Sequence, residues 1–94
     1  MDSTFQEQAK QTAFTVYAQC INISTIPPLL LRNSREAVLS DFDLSLNQLM
    51  DNLETYQRAI LCTLDDHIFF ELSDSEKRTL QSNYDRIQML LDKY

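Results

Sequence analysis

The stretch Leu39–Ile60 reads LSDFDLSLNQLMDNLETYQRAI. Its apolar residues Leu39, Phe42, Leu46, Leu49, Leu53, Tyr56 and Ile60 recur at intervals of 3, 4, 3, 4, 3 and 4. That alternation is the a/d pattern of an α-helix packed along a seam at a shallow angle, as in a coiled coil. Upstream, Asn33 followed by Glu36 supplies a helix start. Downstream, the pattern runs on to Leu64 without Gly or Pro. The spacing predicts one helix from Ser34 to Leu64, about 46 Å long at 1.5 Å per residue. Ser40 with Asp43 offers a competing start, so a break near residue 40 is the alternative. The unbroken phase favours continuity.

Both flanks are also helical in pattern. Phe5, Ala9, Ala13, Val16, Tyr17 and Cys20 share one face of a helix over residues 4–21, with Ser3 and Gln6 as its capping box and Asn22 as its stop. At the other end, Ser73 and Glu76 form a capping box. Leu80, Tyr84, Ile87, Leu91 and Tyr94 follow at helical spacing, and Met89 and Leu90 widen the stripe. Between the first two helices, Pro27 and Pro28 disfavour α conformation at the residues before them. A short helical turn over Leu29–Arg32 follows, whose leucines are read as a plug for one end of the bundle rather than a docking loop. Residues 65–72, DDHIFFEL, either extend the long helix or make the connection to the last one.

The chain has 94 residues and no glycine. That length is one domain. Without glycine there is no P-loop, dinucleotide fingerprint or glycine-bearing nucleophile elbow. The expectation is therefore an all-α, single-domain, small antiparallel three-helix bundle, with a long central helix and a short extra helical turn after Pro28. A central helix longer than its neighbours leaves apolar seam uncovered, which calls for a homodimer or a hetero-complex unless Leu29–Leu31 closes the gap.

Charge is unevenly distributed. Ten acids and one base, Arg58, lie between Glu36 and Glu76, a net −9 over 41 residues, while the rest of the chain is net +3. Most such acids form a solvated exterior. The sharper reading is a strip of Asp41, Asp43, Asp51, Glu54, Asp65 and Asp66 that meets a partner protein with a basic surface. Phe69 and Phe70 would be its aromatic anchors. Core packing is the plainer use of Ile68, Phe69 and Phe70, although three consecutive residues cannot all face one stripe. The overall charge of −6 disfavours direct nucleic-acid binding and contact with anionic membranes.

No catalytic constellation emerges, and no cofactor or metal is implied. Asp65, Asp66, His67 and Glu71 are of metal-ligand type, but there is one histidine in the chain and no third or fourth ligand at the right spacing. Asp41 and Asp43 lack an EF-hand loop. Cys20 and Cys62 each sit in an apolar helical pattern, where a reduced cysteine acts as a small hydrophobe. With no secretory segment evident in MDSTFQEQAK, the expected location is cytoplasmic.

One short resemblance accompanies these features. Phe70-Glu71-Leu72-Ser73-Asp74-Ser75-Glu76 resembles the Y-E-L-S-D-x-E segment that opens the final helical region of the Hha/YmoA family of nucleoid-modulating proteins. It covers seven residues and consists largely of a capping box. The family's basic N-terminal part has no counterpart here, so its function is not carried over.

The expected function is a non-catalytic, acidic protein–protein interaction module that binds and modulates a partner. Adaptors and secretion chaperones, immunity proteins, and phage or plasmid inhibitors are of this type. The alternative is a transcription-associated regulator acting by protein contact or nucleic-acid mimicry.

Overall fold

The computed structural model describes residues 2–20, 23 and 45–94. They form three helices, α1 (Asp2–Cys20), α2 (Leu46–Asp65) and α3 (Asp74–Lys93), each packed against the other two. No strand occurs among the described residues. The fold is the small all-α three-helix bundle expected.

The seam residues build the core. Leu49, Leu53, Tyr56 and Ile60 of α2 are buried, as are Ala9, Ala13, Val16 and Cys20 of α1 and Leu80, Ile87 and Leu90 of α3. Each large aliphatic side chain removed from water contributes about 1.5–3 kcal/mol of transfer free energy. Ala9 and Ala13, four apart on α1, present little bulk and let that helix approach closely. Tyr94 lies outside the core and instead stacks on Phe5, with ring centroids 6.2 Å apart and planes within 8°.

Three contacts and the short 66–73 connection set the directions. Phe5 near the start of α1 meets Tyr94 after the end of α3, and Cys20 at the end of α1 meets Asn83. Gln57 at the middle of α2 meets Tyr84 and Gln88. Helix α3 therefore runs antiparallel to both neighbours, and α1 and α2 point the same way.

The continuous Ser34–Leu64 helix is not what forms. Ser45 is extended (φ −63°, ψ 159°) and is the N-cap of α2. Gln48 N donates to Ser45 Oγ at 3.3 Å, and Ser45 N donates to Gln48 Oε1 at 3.1 Å. This reciprocal box satisfies two backbone donors and starts the helix afresh at Leu46. Apolar phase reports which face is buried, not whether the helix is unbroken, so it carries across such a cap unchanged. At 20 residues α2 matches α3, and the length mismatch that called for a second chain is gone.

Two smaller readings also change. Helix α1 begins by Asp2, so Ser3 lies inside it rather than capping it. Cys62 is exposed, whereas Cys20 is buried. Leu39, Phe42, Asn22, the short turn after Pro28 and the Leu29–Leu31 plug lie outside the described residues.

Candidate interaction site

The 66–73 segment is the connection between α2 and α3, and its backbone is closely tied. Helix α2 ends as Asp66 N donates to Cys62 O at 3.1 Å and His67 N donates to Leu64 O at 3.2 Å. A single further turn follows, with Phe70 N donating to Asp66 O at 3.0 Å. It closes with Glu71 N donating to Ile68 O at 3.1 Å and Leu72 N donating to His67 O at 3.0 Å. That pair of bonds is a Schellman motif, which places one residue in the left-handed region. The residue is Glu71, at φ 53°. His67 Nδ1 lies 3.0 Å from Leu64 O and braces the turn from inside.

Chain reversal then continues through Leu72, which packs against the core, into Ser73. Glu76 N donates to Ser73 Oγ at 3.1 Å, and Ser73 N donates to Glu76 Oε1 at 2.8 Å. The capping box read from the sequence is thus formed.

This bracing pushes apolar side chains outward. Ile68 is 81% exposed and Phe69 80%. Phe70 is half-buried and meets Phe69 edge-on, with centroids 5.1 Å apart and planes at 82°. Two of the three residues therefore face solvent. Around them Asp65, Asp66, Glu71 and Asp74 are exposed. Lys77 and Arg78 are the nearby bases, and Lys77 pairs with Asp74 at 3.3 Å. Residues 65–78 carry five acids against those two bases, a net −3.

The described residues of the expected strip spread along α2 to its end. Asp65, Asp66, Phe69 and Phe70 come together at the tip of the α2–α3 hairpin. Asp51 lies 14 residues before Asp65, about 21 Å back along α2. Glu54, near it, is ion-paired with Arg58. Asp41 and Asp43 lie outside the described residues.

The interior holds polar residues that apolar periodicity could not reveal. Gln57 donates from Nε2 to Gln88 Oε1 at 2.8 Å, and Gln88 Nε2 donates to Asp92 Oδ1 at 2.8 Å, fixing the register of α2 on α3. Thr63 Oγ1 donates to its own helix at Ala59 O. Asn83, fully buried, donates to Cys20 Sγ at 3.8 Å, while its Oδ1 has no partner. Burial pushes the Cys20 thiol up to about 11, opposed by the Asn83 hydrogen bond, so the thiol is neutral at physiological pH.

Among the described residues no three His, Cys, Asp or Glu side chains are grouped so as to hold a metal ion. His67 and Glu71 do not share a helical face, because Glu71 is left-handed. No described helix is long and apolar enough to cross a membrane. No protein-family model, curated protein or solved structure matches this chain.

Proposed function

We propose that this protein is a non-catalytic interaction module whose α2–α3 tip inserts into a basic-rimmed apolar cleft on a partner protein, which it thereby modulates. The carrying observation is the pair Ile68 and Phe69, each about 80% exposed on a turn held by three backbone hydrogen bonds. Exposing two large apolar side chains to water is unfavourable. A turn already fixed in shape loses little entropy when it docks. Aromatic side chains surrounded by polar groups are the usual anchors of interfaces. The ring of Asp65, Asp66, Glu71 and Asp74 supplies long-range attraction to a basic surface and discourages acidic ones. Asp51 and Glu54 lie too far back to touch a cleft filled by the tip, and contribute to steering alone. The proposed setting is the cytoplasm, where reducing conditions would keep Cys20 and Cys62 as free thiols.

The test is affinity capture followed by titration of the purified partner. Phe69→Ala should weaken binding by about 30-fold, the scale of an interface hot spot, with an unchanged helical spectrum. Asp65→Lys with Asp66→Lys should lower the association rate and its salt dependence. Affinity that is indifferent to both changes overturns the reading.

A further inference from the structure

The bundle carries a groove whose chemistry mirrors that of the tip. It lies between α1 and α3, has a volume of about 170 Å³, and is lined by Gln8, Thr12, Arg86, Met89, Leu90 and Lys93. Met89, 60% exposed, and Leu90 give it an apolar floor. Arg86 and Lys93 stand at its rim, both exposed and two helical turns apart on α3. Neither forms an ion pair among the described residues. The volume is below the roughly 300–1,000 Å³ of small-molecule sites. It suits one or two side chains of a protein rather than a metabolite.

Its position is as informative as its lining. Gln8 belongs to the first half of α1 and Thr12 to its middle, and Arg86 to Lys93 belong to the second half of α3. The groove therefore lies toward the end of the bundle away from the 66–73 turn. A second groove, lined by Gln19, Ile23, Ser75, Glu76 and Thr79, is larger at about 300 Å³. It holds a carboxylate and no base, so it would repel an acidic tip.

We propose that the groove receives the tip of a second copy of this chain, so that molecules associate head to tail. Phe69 of one copy enters the apolar floor of the next, and Asp65, Asp66 and Glu71 meet Arg86 and Lys93. The match is one of shape and of sign: a convex aromatic tip within a carboxylate ring, and a concave apolar floor between two unpaired cations. The proposal rests on the reading of the tip as a docking element. It adds a regulatory consequence, since a tip seated in another copy is withheld from the partner. The contact is heterologous, so each added copy leaves one free tip and one free groove, and growth does not stop at two. A patch this small makes the association weak.

The test is sedimentation of the full chain over a concentration series. Wild-type mass should rise with concentration from the 11.0 kDa of one chain. It should fall back in about 1 M salt, where screening acts over about 3 Å. Phe69→Ala removes the tip, and Arg86→Glu with Lys93→Glu reverses the groove. Each variant alone should stay monomeric with a wild-type helical spectrum. Mixed together, they should form a complex of two chains and nothing larger, because the mixture retains one kind of intact tip–groove pair. A wild-type chain that stays monomeric throughout, a groove variant that still self-associates, or a mixture no heavier than its components overturns the proposal. If self-association fails while Phe69-dependent binding to the partner holds, this inference falls and the function proposed above stands. If the Phe69→Ala variant binds partner and self-associates normally, both fall.

Discussion

Asn83 and Cys20 join α3 to α1 inside the core, with the carboxamide donating from Nδ2 to Sγ across 3.8 Å. The arrangement is only half satisfied. Sulfur is a weak acceptor, and Asn83 Oδ1 has no hydrogen-bond partner although the residue is fully buried. An unpartnered buried acceptor costs about 1–3 kcal/mol.

Asn83→Leu, close in shape and apolar, should therefore leave the bundle as stable as before or gain about 1 kcal/mol. Urea denaturation measures this directly. A loss larger than about 1 kcal/mol would mean that the carboxamide holds something in place that leucine cannot.

The two thiols should react very differently. Cys62 is exposed and Cys20 is buried, and only a thiolate within reach of the reagent reacts. A disulfide reagent should titrate one thiol per native chain at once and the second only on unfolding. Cys62→Ser should abolish the fast phase, and a fast phase surviving in that variant would contradict the burial of Cys20.

Cys20 also predicts a pH dependence. Its thiol rises from 9.0 to about 11 on folding, first because burial desolvates the thiolate. Folding favours the protonated form, so this contribution is fully present below pH 9 and is lost as pH climbs toward about 11. It amounts to on the order of 2–3 kcal/mol. The difference in stability between wild type and Cys20→Ala should shrink over that window. A constant difference would argue that the thiol titrates as it does in the unfolded chain.

Glu71→Gly should raise stability by about 0.5–1 kcal/mol. A residue with a Cβ pays about 1–2 kcal/mol in the left-handed region, and glycine returns part of that gain as entropy of the unfolded chain. Thermal or urea midpoints will show it. A fall in stability would reveal a role for the Glu71 side chain beyond the turn.

Leu53→Ala should cost about 2–5 kcal/mol, since Leu53 is fully buried where α2 meets the core. Leu61→Ala, on the exposed side of the same helix, should change stability by no more than about 0.5 kcal/mol.

Much of this was legible in the residues, for reasons that also explain what was not. Leu49, Leu53, Tyr56 and Ile60 are buried because periodicity directly encodes a face. Ser73 with Glu76 forms its box because both halves of the motif are local. Ser45 with Gln48 is the same kind of signal, S-x-x-Q, but it is embedded in a continuous apolar phase that masked it. The core positions of Asn83 and Gln57 depend on partners 63 and 31 residues away, at Cys20 and Gln88, and no local pattern reports them. The exposure of Ile68 and Phe69 follows from Glu71 turning left-handed, which a chain without glycine gives no reason to expect.

The shared direction of α1 and α2 has a kinetic consequence. Helices α2 and α3 are neighbours in sequence and can form a hairpin at little loop-closure entropy. Helix α1 must then dock on a surface completed by residues far along the chain, as the Phe5–Tyr94 stack shows. Contacts of such long separation form late. Substitutions at the Gln57–Gln88 contact should therefore slow refolding, while Ala13→Gly in α1 should mainly hasten unfolding. A chevron plot for each variant distinguishes the two limbs, and a slowed refolding limb for Ala13→Gly would place α1 in the nucleus.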